Sequence, residues 1–251
     1  MTLRYPPEPE IPAEEGQSFS PPIAVFGEAY QTVVQSLVQH SPFPRAQSTT
    51  VTHGAKLKAA LIHLQETVFF GQVAYNDLRP TQAVEVCAGF GIPSITLNKL
   101  FGVAGTCVDT DSEKMTIGSE ICEKLGINIT WLDRDLFLYL RKNIKSLRGT
   151  TLLATAAYSR DRNKGRPPGS GERDIVIFAK NNHLDLALLP YRSKETIKTG
   201  LSNETKRVQE YEKILKDAGY TVRRHSTEVL FRGQGAPDWF FLDILTAKFN
   251  S

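Results

Sequence analysis

The feature that most constrains the fold is the stretch A-V-E-V-C-A-G-F-G-I-P-S at residues 83–94. A short apolar run ends in a turn of small residues, and Pro93 suits the first turn of a helix that begins at once. Gly89 and Gly91 would let the backbone approach a ligand without an intervening Cβ atom. The N–H groups of the helix N-terminus then point at the turn, which favours a phosphate or a carboxylate. This order of elements predicts one unit of a parallel sheet.

The chain beyond this stretch continues the alternation of strands and helices. The predicted strands are 83–87, 103–108, 127–132, 151–157, 175–178, 221–231 and 238–247. The predicted helices between them are 93–101, 112–125, 136–147 and 204–218. Ser112 and Asp135 are the predicted N-caps of the two middle helices. The predicted fold class is therefore α/β, with a doubly wound, mainly parallel sheet, a terminal antiparallel strand pair and an N-terminal helical cap.

Composition divides the chain into three predicted parts. Residues 1–22 contain six Pro and four Glu, so we expect a flexible or extended tail, or a segment that lies across a groove. Residues 23–80 carry apolar side chains at helical spacing, which predicts the helical cap. Residues 81–251 form the predicted sheet domain. No apolar run approaches the roughly 20 residues that span a bilayer, so we expect no membrane partner.

The cysteines and histidines indicate neither a disulfide framework nor a metal site. The chain has three Cys and five His, with no C-x-x-C and no H-E-x-x-H motif. Three thiols are too few to staple a fold of this size, so we expect a reducing, cytoplasmic setting. No metal is predicted.

Acidic residues accompany the first three predicted strands. Glu85 lies inside the first strand, and Asp109 ends the second, 20 residues after Gly89. An acid at that place can accept hydrogen bonds from ribose hydroxyls at the carboxyl ends of the strands. Asp135, or its alternative Asp133, follows the third strand, where it can bind an adenine amino group. A nucleoside ligand is predicted; a nicotinamide dinucleotide fits less well because Ser94 replaces the third glycine of its fingerprint.

The series E-V-C-A-G-F-G, V-D-T-D and D-R-D-L-F resembles the first three motifs of class I S-adenosylmethionine-dependent methyltransferases, over about residues 80–140. The resemblance implies methyl transfer, with S-adenosylmethionine as the cofactor. It implies that Glu85, Ala88, Gly89 and Gly91 hold the methionine part, that Asp109 and Thr110 hold the ribose, and that Asp135 and Leu136 hold the adenine. Two departures stand out: Cys87 replaces the first glycine of the turn, and neither N-P-P-Y nor the P-C nucleophile follows the fourth strand.

A basic segment, residues 160–173, comes shortly after the fourth predicted strand. It holds five basic and two acidic side chains. We expect either a solvated surface loop or a clamp for the phosphates of a nucleic acid, RNA in the first instance. The candidate clamp residues are Arg160, Arg162, Lys164 and Arg166. By the same resemblance Tyr158 faces the methyl acceptor as a candidate catalytic residue. A small-molecule or protein acceptor is the alternative, and so is a non-catalytic binding module that retains the methyltransferase fold.

Overall fold

The computed structural model describes residues 19–40, 53–155, 170–190, 203–231 and 238–250. Within these ranges, helices and strands alternate from residue 53 to residue 231, and one more strand follows. The helices are α1 (Pro22–Phe26), α2 (Tyr30–Gln39), α3 (His53–Leu78), α4 (Ile92–Phe101), α5 (Ser112–Leu125), α6 (Leu136–Lys142), α7 (Ser170–Asn182) and α8 (Asn203–Lys216). The strands are β1 (Gln82–Val86), β2 (Ala104–Asp109), β3 (Ile129–Asp133), β4 (Thr151–Thr155), β5 (Asp185–Leu189), β6 (Tyr220–Phe231) and β7 (Asp238–Phe249).

The strands form one seven-stranded sheet in the order β3-β2-β1-β4-β5-β7-β6. Strands β1 to β5 are parallel, whereas β7 is antiparallel both to β5 and to β6. The strand order reverses at β1, which lies between β2 and β4. In a doubly wound sheet the crevice at this reversal opens at the carboxyl ends of the strands and is the usual place for a ligand. The predicted α/β class, its parallel sheet and its terminal antiparallel pair are confirmed.

The sheet separates two hydrophobic layers, because alternate residues of a strand point to opposite faces. On one face Val86 and Leu186 pack with α6, α7 and α8. On the other face Ala83 and Leu153 pack with α3, and Cys107 packs with α2, α4 and α5. Burial on both faces explains why β4 and β5 read as continuous apolar runs instead of alternating ones.

Helix α3 forms a large part of the second layer. It is 26 residues long and lies against α4 and against β4, β5 and β7. Gly71 permits the close approach to α4, since a Cβ atom there would stand 3.1 Å from the carbonyl oxygen of Pro93. In the described part of the chain, no helix combines the length and the apolar character that crossing a membrane requires.

The segment just before α1 is joined to α3. The backbone N–H of Ser20 donates to Oε1 of Gln72 at 2.7 Å, and its carbonyl accepts from Nε2 of the same amide at 2.8 Å. Phe19 packs edge-on against Phe69, with ring centroids 4.5 Å apart. Residues 1–18 lie outside the described residues, so the division of the chain into tail, cap and sheet domain stays a prediction.

One strand prediction is wrong. Residues 175–178 belong to α7, and the fifth strand is β5, which begins at Asp185. Ile175, Val176 and Ala179 are fully buried and share one face of α7. A short apolar run has the same composition in a buried strand and on the buried face of a helix, so periodicity alone does not separate them. The other predicted strands agree with the observed bounds to within two residues, except that residues 156 and 157 of the strand predicted at 151–157 lie outside the described residues. Helix α6 ends at Lys142, earlier than predicted.

A polar network joins the C-terminal end of α3 to the antiparallel pair. Oδ2 of Asp77 lies 2.6 Å from Nε2 of His225 and accepts from the hydroxyl of Thr246, while Nη1 of Arg223 donates to Oδ1 at 3.1 Å. Burial alone would raise the pKa of Asp77, but these hydrogen bonds, that of His225 foremost, outweigh it and lower the pKa below its ordinary value. The network therefore anchors α3 on β6 and β7.

Candidate functional site

The turn between β1 and α4 has the strained geometry that its small residues predict. Cys87, Gly89 and Gly91 have positive φ angles of 56°, 52° and 65°. Glycine adopts such angles readily, whereas other L-residues lose about 1–2 kcal/mol, so Cys87 is the strained residue of the turn. The N–H of Gly91 donates to the carbonyl of Ala88 at 2.8 Å, and the N–H of Ala88 donates to that of Val108 at 3.3 Å. The first of these bonds closes the turn, and the second ties it to β2.

The two glycines of the turn serve different purposes. A Cβ atom on Gly89 would meet only Cδ of Lys114, at 3.7 Å, so a flexible lysine stem is all that lies over this face of the turn, which we call the open face. A Cβ atom on Gly91 would stand 2.6 Å from the ring of Trp131 and 2.8 Å from Sγ of Cys107. The missing side chain of Gly91 therefore makes room for the protein's own core. That the backbone of Gly91 also approaches a ligand stays a prediction.

Trp131 fills the space behind the turn. A Cβ atom on Gly118 of α5 would also collide with this indole ring, and it would stand 2.7 Å from the carbonyl oxygen of Phe90. Sequence reasoning did not single out Gly118, because a glycine inside a helical pattern is not informative until its neighbours are known.

Glu85 lies beneath the turn and is completely buried. Its Oε2 accepts from the N–H of Ser94 at 2.9 Å, whereas Oε1 has no hydrogen-bond partner among the described residues. Burial raises the pKa of Glu85 to about 7; the hydrogen bonds from Ser94 oppose that rise and the charge of Asp109 adds to it. A buried polar atom without a partner is costly, so a donor or a cation on a ligand would be stabilised here.

Asp109 holds the turn from the end of β2. Its Oδ2 accepts from the N–H of Gly89 at 2.7 Å, and Oδ1 accepts from the N–H groups of Thr110 at 2.7 Å and Asp111 at 3.1 Å. An ionised carboxylate offers about four acceptor positions, so three N–H groups leave about one for a ligand hydroxyl. Thr110 is exposed beside it. Asp109 therefore combines a structural bond to the turn with spare acceptor capacity.

The two acids after β3 differ in their surroundings. Asp135 caps α6, because its Oδ1 accepts from the N–H groups of Phe137 at 3.0 Å and Leu138 at 3.1 Å. That predicted cap is confirmed. Leu136 is buried in the core against the sheet. Asp133 is exposed at the end of β3. Asp135, with Asp133 as its alternative, stays the predicted contact to an adenine amino group.

Lys114 and His63 lie near the turn but were not among the predicted site residues. The N-cap of α5 is Asp111, so the prediction of Ser112 is wrong. Oδ2 of Asp111 pairs at 2.5 Å with Nζ of Lys114. The aliphatic stem of Lys114 lies over the open face of Gly89. Burial, followed by the charge of Lys114, lowers the pKa of His63 to about 4, so this imidazole is neutral at pH 7. His63 belongs to α3, and only the packing of α3 on the sheet brings it near α5.

The remaining predicted site residues lie outside the described residues. These are the candidate catalytic Tyr158 and the candidate clamp residues Arg160, Arg162, Lys164 and Arg166. The segment that contains them begins directly after Thr155, whose hydroxyl donates to the carbonyl of Cys87 at 3.4 Å. Among the residues that the structure describes, no group of three or more His, Cys, Asp or Glu side chains is arranged to hold a metal ion.

The chain has the fold of class I S-adenosylmethionine-dependent methyltransferases. It is similar to precorrin-6y C5,15-methyltransferase from Geobacter metallireducens GS-15, with 12% identity and a TM-score of 0.52, over 74% of this chain and 89% of that one. It is also similar to the SAM-dependent methyltransferase from Agrobacterium tumefaciens, with 13% identity and a TM-score of 0.50, over 78% of this chain and 63% of that one. No protein-family model and no curated protein sequence matches the chain. At these identities the likeness concerns the fold, so the function has to be argued from the site.

Proposed function

We propose that the chain is an S-adenosylmethionine-dependent methyltransferase that acts on nucleic acid, RNA in the first instance. The observation that carries the proposal is the open face of Gly89, in a turn that also holds an unpartnered buried oxygen of Glu85 and the carboxylate of Asp109. At Gly89 only the flexible stem of Lys114 stands in the way, so a ligand that displaces this stem could approach the backbone between the two carboxylates.

The residues present fit the cofactor. Oε1 of Glu85 would accept a hydrogen bond from, or pair with, a positively charged group in the turn, and ionisation of this carboxyl near pH 7 would strengthen that contact. The spare acceptor position of Asp109 would receive a ribose hydroxyl, with Thr110 at its side. The adenine would lie by Asp133 or Asp135. When bound, the cofactor supplies a methyl group that its sulfonium makes electrophilic.

The chain's own part in the reaction would be to position the acceptor and to exclude water from the site. A neutral nitrogen acceptor requires no strong base. By the family resemblance, Tyr158 is the candidate group toward the acceptor. Support for a nucleic-acid acceptor comes from the sequence of residues 160–173, which brings five basic side chains within 20 residues of a strand end that contacts the turn.

Calorimetric titration with S-adenosylmethionine and S-adenosylhomocysteine tests the cofactor. Gly89→Leu places a side chain on the open face, and Gly126→Leu is its matched control, because Gly126 has a φ of 64° and a Cβ atom there would meet nothing within 4 Å. Both variants should lose about 1–2 kcal/mol of stability from backbone strain. Only Gly89→Leu should lose ligand affinity, by tenfold or more. Absence of binding to the wild type at millimolar ligand, or equal affinity of the two variants, contradicts the proposal.

Transfer of a labelled methyl group tests the acceptor. Incorporation into a total RNA preparation, decreasing as salt rises, is the expected result, since phosphate contacts release counterions. Incorporation only into a small-molecule or protein fraction would transfer the assignment to that acceptor class. Tight cofactor binding with no transfer to any of these fractions would support a non-catalytic binding module.

A further inference from the structure

A second group of basic residues lies in the described part of the chain, outside the sequence range 160–173. Between residues 134 and 148 there are five basic residues and a single acidic one. The basic residues are Arg134, Arg141, Lys142, Lys145 and Arg148, and all five are exposed. Within the described ranges none of them forms an ion pair or a side-chain hydrogen bond with another described residue. The acid is Asp135, whose carboxylate caps α6. The surface therefore carries a concentrated positive charge.

A cavity of about 410 Å³ opens in the same surface. Its lining is contributed by the end of β3 and by α6, and consists of Leu132, Arg134, Leu138, Tyr139, Lys142 and Asn143. Arg134 and Lys142 thus belong both to the basic surface and to the cavity wall. Leu138 is 48% exposed and Ile144 is 38% exposed, which makes them two of the three large apolar side chains most exposed among the described residues. Cations and accessible apolar groups are here combined at one place.

We propose that this surface, which we call the α6 surface, binds a single-stranded nucleic acid, with one base in the cavity and the neighbouring phosphates on Arg134, Lys142 and the other exposed basic side chains of residues 134–148. A concave, apolar and aromatic cavity suits a planar base, and the basic side chains around it suit a charged backbone. A lipid surface offers no comparable group to enter a cavity, and an acidic peptide offers the charge without the planar base.

The α6 surface adjoins the proposed cofactor site. Helix α6 starts directly after its cap, Asp135, and Lys142 stands about 10 Å further along the helix axis. A strand held on this surface would therefore pass within one or two nucleotides of the adenine side of the site. This inference deepens the proposed function by assigning a binding surface to its nucleic-acid acceptor. It rests on the proposed function only in taking nucleic acid as the class of acceptor.

Fluorescence anisotropy with a labelled 15-nucleotide oligouridylate tests the proposal on the full chain. Lys142→Gln with Lys145→Gln removes two charges from the α6 surface. Lys124→Gln with Lys206→Gln is the matched control, since both lysines are exposed and lie on other helices. For a single strand, each lost phosphate contact should lower the slope of log affinity against log salt by about 0.7, hence by about 1.4 for the first pair. The control pair should retain the wild-type slope. Equal slopes in the two pairs would overturn the proposal.

The cavity is tested separately with Leu138→Asn, a change at a half-exposed position that leaves the core intact. We expect several-fold weaker binding of the oligouridylate and unchanged binding of inorganic polyphosphate, which has no base. Equal losses for both probes, or no loss for either, would show that no base enters the cavity. Lys142-dependent binding to phosphatidylserine vesicles without binding to the oligouridylate would overturn the proposal in favour of a membrane surface.

Binding of S-adenosylhomocysteine by the same variants separates this inference from the proposed function. We expect the variant with Lys142→Gln and Lys145→Gln to bind S-adenosylhomocysteine with unchanged affinity. Its oligouridylate affinity should depend less steeply on salt than that of the wild type. If the wild type binds the oligouridylate through Lys142 and Lys145 but no cofactor at all, the proposed function fails and the α6 surface stands. If the cofactor binds and the oligouridylate does not, the proposed function stands and the α6 surface fails.

Discussion

Replacing the buried carboxyl of Glu85 by an amide should change how the stability of the protein depends on pH. The pKa of Glu85 is about 7 in the folded protein and about 4.5 when the side chain is solvated. A raised pKa means that the folded state binds the proton more tightly, so Glu85 reduces stability as pH rises from 4.5 to 7. The amide introduced by Glu85→Gln would resemble the protonated acid in shape and would not titrate, so this substitution should remove the loss.

The magnitude follows from the two pKa values. Each tenfold difference in proton affinity corresponds to 1.36 kcal/mol, so the stability of the wild type relative to Glu85→Gln should fall by about 2.5 kcal/mol between pH 5 and pH 8. Most of this change should occur below pH 6.5, and the difference should level off above pH 7.5. Acids and bases elsewhere in the chain titrate equally in both proteins and cancel.

Urea unfolding at half-unit pH intervals measures this difference, with circular dichroism as the readout. The control is Glu123→Gln, since Glu123 is exposed on α5. Its stability should follow that of the wild type at every pH. Parallel curves for the wild type and Glu85→Gln across pH 5 to 8 would refute the reasoning, because they would show that Glu85 is as well solvated or as well paired as an exposed carboxylate.

Three further substitutions should lower the free energy of unfolding for different reasons. Gly91→Ala combines a left-handed backbone with a collision against Trp131, and should cost about 2–5 kcal/mol in chemical denaturation. Asp77→Asn weakens the hydrogen bonds from His225 and its neighbours, and should cost about 2 kcal/mol at pH 7. Because the pKa of Asp77 is lowered, that cost should be present above pH 4 and disappear as pH falls below 3.8. Asp135→Ala removes the cap of α6 and should cost about 1 kcal/mol in thermal unfolding.

Each of these substitutions has a matched control. Gly126→Ala has the same sign of φ and no neighbour within 4 Å, so it should cost only the backbone strain of about 1–2 kcal/mol. Asp217→Asn and Asp133→Ala change exposed acids and should alter stability by less than about 0.5 kcal/mol. If Gly91→Ala is no less stable than Gly126→Ala, the collision with Trp131 is contradicted. If the stability lost in Asp77→Asn does not depend on pH, the account of the Asp77 carboxylate is contradicted. If Asp133→Ala and Asp135→Ala lose equal stability, the capping role of Asp135 is contradicted.

Local patterns were sufficient to predict much of the sheet and the position of the turn. The glycine turn of residues 83–94, the acid at Asp109 and the cap at Asp135 all depend on interactions between residues close in sequence or on the fixed geometry of parallel strands. The strand prediction at 175–178 is wrong because local pattern does not decide between strand and helix there. Its apolar residues are equally compatible with the buried face of α7, and the choice is made by packing against residues distant in sequence.

The sequence by itself determined the alternation of strands and helices and the small residues at the end of β1, because backbone conformation is a local property. Only the tertiary structure decided that Gly91 faces Trp131 while Gly89 faces the flexible stem of Lys114, since the two glycines are chemically identical. Only burial by surrounding elements decided that Glu85 keeps an unpartnered oxygen and a pKa near 7. In the same way, folding brought Arg134 and Lys142 into the wall of one cavity. Solvation and charge depend on every atom nearby, and that set of neighbours exists only in the folded chain.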